Sequence, residues 1–154
     1  MDLIEQIQGA IVSRLVAVNT YAGDSVEGDR DWPLAPPEGT FDALLVNIGS
    51  ESLVDSTPMR PRRLTIDLEV RVRALARVAT VDGQSAARAR ALALQVKKAL
   101  LGAGADVTLG GIAKHIRFGG SDAIEDETNL DAAAREVSFV VRFQTSEASF
   151  EAST

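Results

Sequence analysis

Cysteine is absent from this chain of 154 residues, and histidine occurs once. The first absence excludes a disulfide framework and thiolate chemistry, and it fits a reducing compartment. The second leaves His115 without the histidine partners that most zinc sites use. Neither a Gly-x-Ser-x-Gly nor a His-Glu-x-x-His pattern surrounds it, so His115 reads as a plain strand residue. Aromatics are scarce, with one Trp, one Tyr and five Phe, so the core has to be built from Val, Leu, Ile and Ala. No apolar run approaches the ~18 residues of a spanning helix. Met1-Asp2-Leu3-Ile4-Glu5 lacks the basic and apolar regions of a signal peptide. We therefore expect no membrane partner. A net charge of −6 argues against a broad nucleic-acid-binding surface but leaves a local basic stripe open.

What the chain does have is charge sorted into three blocks. Residues 1–59 hold ten acids and two arginines, a net of −8. Residues 60–118 hold twelve basic residues and four acids, a net of +8. Residues 119–154 hold eight acids and two arginines, a net of −6. A basic middle between acidic ends can neutralise itself within one subunit or between neighbours.

Apolar periodicity sets the elements. Leu3, Ile4, Ile7, Ile11, Leu15 and Val18 form one stripe at spacings of three and four, predicting an amphipathic helix over 2–18. Residues 19–40 are rich in breakers and acids and read as loop, with at most a short edge strand near 25–29. The apolar run at 41–48 suits a short strand buried on both faces. Leu64, Ile66, Leu68, Val70 and Val72 alternate with Thr65, Asp67, Glu69, Arg71 and Arg73, which predicts a long strand over 62–75. Such a strand can outreach its own sheet. Asp82 can cap a second helix that Gly102 closes in the left-handed conformation. Two further strands are expected at 112–118 and 135–145, joined by about sixteen residues, long for a hairpin. The order predicts an α+β fold: a single mostly antiparallel (mixed) sheet with two helices packed on one face. We expect one domain over 1–145 and a disordered tail over 146–154.

Each candidate site has to be weighed by context. Gly102-Ala103-Gly104 and Gly110-Gly111 follow a helix and precede a strand, the reverse of a phosphate-binding loop. Asp122, Glu125, Asp126, Glu127 and Asp131 form the one dense carboxylate cluster. They lack the alternating ligands and closing glutamate of a calcium loop, and a paired-carboxylate hydrolase would hold its acids on rigid elements. A solvated loop or docking onto a basic neighbour remains. Arg60, Arg62 and Arg63, with Arg71, Arg73 and Arg77, are the basic counterpart. They come without the aromatics or reading module of a nucleic-acid binder, and Asp67 and Glu69 interrupt them. A solvated face or a subunit interface is left. Trp32, in Asp31-Trp32-Pro33-Leu34, reads equally as a plug over a core edge or as an interface anchor. No enzyme, cofactor or metal site is expected.

The order of these pieces carries a resemblance. An Ile-rich helix leads into Asp24-Ser25-Val26 and Asp29-Arg30-Asp31-Trp32-Pro33-Leu34, then the strand at 41–48. Arg62-Arg63-Leu64-Thr65-Ile66-Asp67-Leu68-Glu69-Val70 and an Ala/Arg-rich helix follow. Gly111-Ile112-Ala113-Lys114-His115-Ile116, an acidic loop and Arg135-Glu136-Val137-Ser138-Phe139-Val140-Val141-Arg142-Phe143-Gln144-Thr145 complete it. This pattern resembles the tail terminator proteins (minor tail protein U type) of long-tailed bacteriophages. The resemblance implies a structural subunit of a hexameric ring, located at the head-proximal end of the virion tail and assembled in the host cytoplasm. Its implied partners are further copies of itself, the tail tube protein and a head-completion or neck protein, with DNA only passing through the channel. Arg60, Arg62, Arg63, Arg71, Arg73, Asp122, Glu125, Asp126, Glu127 and Trp32 are then the candidate interface residues. A closed ring needs two different, complementary patches per subunit, and opposite charge blocks suit that need. A head–tail joining protein of similar fold is the alternative, and an enzyme using the carboxylates at 122–131 is a third reading.

Overall fold

The computed structural model describes residues 2–28, 41–77, 84–124 and 132–147. Helix α1 (Leu3–Ala17) starts where Asp2 accepts the Glu5 backbone N–H at 2.8 Å, satisfying one of the donors a helix start leaves unpaired. Its Ile7, Ile11 and Leu15 are fully buried. Helix α2 (Gln84–Leu101) buries Ala89, Leu92, Ala93, Val96 and Leu100. It stops at Gly102, but not through a left-handed cap. The constraint there is space, because a Cβ would sit 2.4 Å from the Lys98 carbonyl oxygen.

Five strands make one sheet in the order β1-β2-β3-β5-β4. They are β1 (Val26–Gly28), β2 (Phe41–Ser56), β3 (Arg63–Arg77), β4 (His115–Ile124) and β5 (Ala132–Ser146). Only β1 runs parallel to its neighbour; every other pair is antiparallel. This is the α+β fold the sequence predicts. Strand β5 lies between β3 and β4, so β3, α2 and β4 form a crossover with a strand inserted at its centre.

Alternation then sorts the two faces. Ile66, Leu68, Val70, Val72 and Ala74 of β3 join Val137, Phe139, Val141 and Phe143 of β5 in one cluster with both helices. Their neighbours along each strand point to the other face. That pairing is continuous from Arg63↔Ser146 to Arg77↔Ala132, so one register serves the whole central pair.

Three strands differ from their sequence expectation. Strand β2 continues to Ser56 instead of ending near 48. Ala43, Leu44, Leu45 and Val46 are buried on both faces as expected, but Gly49-Ser50-Glu51-Ser52 reads as loop and is strand. Gly49 is needed there, since a Cβ would come 2.8 Å from Glu69 Oε1. Strand β4 begins at His115, with residues 112–114 in the turn before it, and runs on through Gly119 and Gly120. Those glycines carry a bulge, where the register shifts between Phe118 and Gly120. Strand β5 begins at Ala132, so the β4–β5 connection shrinks to 125–131, outside the described residues. The Asp82 cap and residues 148–154 also lie outside them.

Phe139 is the largest fully buried side chain, and its ring meets Phe118 edge-on at 6.5 Å between centroids. Phe139→Ala is expected to lower unfolding free energy by about 3–5 kcal/mol in urea titrations. Leu53→Ala, on the exposed end of β2, should change it by less than about 0.5 kcal/mol.

Candidate interaction surface

The sheet face away from the helices is polar by alternation, and its charges are mostly paired within the chain. Asp67 on β3 sits at the hub. Arg142 on β5 donates to its Oδ1 at 2.8 Å and Arg117 on β4 donates to its Oδ2 at 3.0 Å. Three strands are thereby tied by one carboxylate that is only 13 % exposed. Along the same face Arg71 pairs with Glu69, and Arg73 donates to Glu136 at 2.8 Å. Arg71 and Arg73 are therefore engaged inside the subunit.

A second clamp joins the helix layer to the start of β2. Arg88 of α2 holds Asp42 by two donors, at 3.1 Å from Nε and 3.0 Å from Nη2. Its guanidinium also lies 3.5 Å over the Tyr21 ring. Gln95 Oε1 accepts the Tyr21 backbone N–H at 2.8 Å, fixing the turn that follows α1. Asp42 is 7 % exposed, so its partner has to be a strong one.

The glycine-rich segment after α2 holds an anion, but the anion is the chain's own. The Asp106 carboxylate accepts the backbone N–H groups of Thr108 and Gly110 at 2.9 and 2.8 Å, and the Thr108 hydroxyl as well. Left-handed Leu109, Gly110 and Gly111 shape this turn. The amides that a phosphate would use are already taken.

The interface residues expected from sequence separate into three groups. Arg60, Arg62 and Arg63 stand exposed at the β2–β3 hairpin, with no ion pair to a described residue. Asp122 is exposed too, but on strand β4 opposite Glu136 rather than in a loop. Trp32, Glu125, Asp126 and Glu127 lie outside the described residues. The structure does not bring the basic hairpin and Asp122 together: Asp122 pairs across from Glu136, while the hairpin begins at the far end of β3, where Arg63 meets Ser146. Sequence reasoning missed the exposed apolar residues Leu53, Val54 and Met59, which share the hairpin with the arginines. A signal was present: they are isolated apolar residues in the polar run 49–63. Among the described residues no group of three or more metal-ligating side chains converges, and no helix is long and apolar enough to cross a membrane.

The Arg142 hydrogen bond holds the Asp67 carboxyl below its usual range despite burial, helped by the charges of Arg142 and Arg117. Asp106 is lowered to about 2, first by the Thr108 hydroxyl and then by the two amides. For both groups the folded pKa lies below the unfolded one. Their stabilisation is thus full above about pH 4 and is lost as pH falls through the folded value. In melting curves taken between about pH 6 and 2, Asp67→Asn should melt lower near neutrality. It should also lose part of the acid-dependent decline. An unchanged slope would mean that Asp67 does not supply it.

No family model and no curated protein matches this chain. Among solved structures, it is similar to a chain of the virion of a native gene transfer agent particle. The likeness covers 90 % of this chain and 95 % of that one, with a TM-score of 0.53 and 23 % sequence identity. The two chains share a fold nearly from end to end.

Proposed function

We propose that this chain is a structural virion protein that closes into a ring, with six subunits, at the head-proximal end of a phage-type tail. In that role it caps the tail tube, ends its polymerisation and offers a surface for the head-joining protein. The carrying observation is the fold shared with a chain of a gene transfer agent virion across nearly the whole length of both. The ordered sequence resemblance to tail terminators supports the same reading from independent information. The chemistry of the surface is consistent with a scaffold and not with catalysis: its polar groups are occupied by one another. Asp67, Glu136, Asp42 and Asp106 each hold a partner inside the chain.

A head–tail joining protein is the second reading, because the same fold likeness supports any virion part built this way. The two differ in what is capped. Purified protein mixed with tail tubes should give rings and blunt, capped tube ends in negative-stain images. The same protein mixed with portal and adaptor should leave them unchanged. Binding to the portal complex but not to tube ends would move the chain to the joining role. Strict monomers that bind neither would overturn both.

A further inference from the structure

The β2–β3 hairpin is an arm built for a partner. Leu53 is 64 % exposed, Val54 44 % and Met59 79 %, three apolar side chains within seven residues of one hairpin. Between its strands, Thr57-Pro58-Met59-Arg60-Pro61-Arg62-Arg63 carries three arginines and no acid. Since the formal charge of −6 includes those three, the rest of the chain carries −9. An apolar surface next to unpaired arginines calls for a partner that is both apolar and acidic. A second copy of this chain offers one.

Two other apolar patches are exposed among the described residues, and charge discriminates between them. Leu94 and Phe118 lie among cations, with the Lys97 ammonium 5.1 Å from the centre of the Phe118 ring. That patch repels the arm. Val18 and Tyr21 lie on the turn after α1, next to exposed Asp24. Segment 2–28 carries four acids against one arginine, and that arginine, Arg14, is paired with Asp106. The Arg88 cation over Tyr21 is itself neutralised by Asp42. This patch attracts the arm.

Geometry keeps the two from meeting in one copy. The Tyr21 turn is clamped beside Asp42 at the start of β2, and the arm is the other end of that strand. At about 3.3 Å per strand residue they stand roughly 40 Å apart. We propose that the arm of one copy docks on the turn at residues 18–24 of the next, with Leu53, Val54 and Met59 against Val18 and Tyr21 and the arginines facing Asp24. The contact is heterologous, so its repetition closes a ring or extends a chain according to the rotation between copies. Its role in a ring rests on the function proposed above; the contact itself does not.

The absence of cysteine makes a direct test available. Met59→Cys carries a single thiol, which is labelled with a maleimide benzophenone and irradiated, both free in solution and on tail tubes. Copy-to-copy adducts mapping by mass spectrometry to the segment around Tyr21 are expected. About 0.5 M salt, or the Asp24→Arg background, should cut their yield about tenfold. Arg60→Glu, Arg62→Glu and Arg63→Glu together should do the same to adducts from the labelled arm, with far-UV circular dichroism confirming the fold. Adducts at Leu94 or Phe118, adducts to tube protein alone, or none between copies would overturn the docking. Rings with adducts elsewhere would leave the ring reading intact. Adducts around Tyr21 without rings would overturn the ring and leave the docking.

Discussion

The register between β3 and β5 is the constraint on which the rest of the structure depends. Pairing runs unbroken over the whole of β3, from Arg63 to Arg77. A slip of one residue would send Leu68, Val70 and Phe139 to the polar face and bring Asp67 and Arg142 beneath the helices. The apolar cluster and the carboxylate hub are therefore two outcomes of one register. Each protects the other: the core holds the strands in step, and only in step do Arg142 and Arg117 reach the same Asp67.

The three charge blocks find much of their complement inside the subunit. Arg73 from the basic middle meets Glu136 from the acidic end, and Arg88 meets Asp42 from the acidic start. Arg14 and Asp106 repeat the exchange in the opposite sense. What pairing leaves over is informative because it is localised. Arg60, Arg62 and Arg63 remain at one end of β2, while Asp24 remains near the other. A chain can be neutralised almost everywhere and still keep a direction.

Much of this architecture was legible in the sequence. The helix over 2–18, the long alternating strand and the second helix follow from period and need no knowledge of neighbours. The differences share one cause. At Gly49 and at Gly119-Gly120 the chain reads as a breaker, yet the strand continues, because glycine there accommodates Glu69 in one case and the Ser138 carbonyl in the other. Those are contacts from an adjacent strand, and local composition carries no record of them. The same holds for the surface. The arginines at 60–63 were visible as charge, but whether Arg71 and Arg73 were free depended on Glu69 and Glu136, one of them sixty-three residues away. The fold likeness to a virion chain agrees with the reading of ordered elements better than with any single motif.

The place of β5 has a consequence in time. It is the last of the strands to leave the ribosome, yet it fills the gap between β3 and β4. Until it is made, α2 has half a sheet to rest on, and β4 has no neighbour to pair with. Contacts as distant as Arg63 with Ser146 have to close before the core is dry, and long-range pairing of this kind folds slowly. A nascent chain therefore carries its apolar, arginine-tipped hairpin before it carries the sheet that gives the hairpin its direction. Synthesis order postpones the rigid presentation of that arm, and with it productive assembly, until the centre of the sheet has been filled.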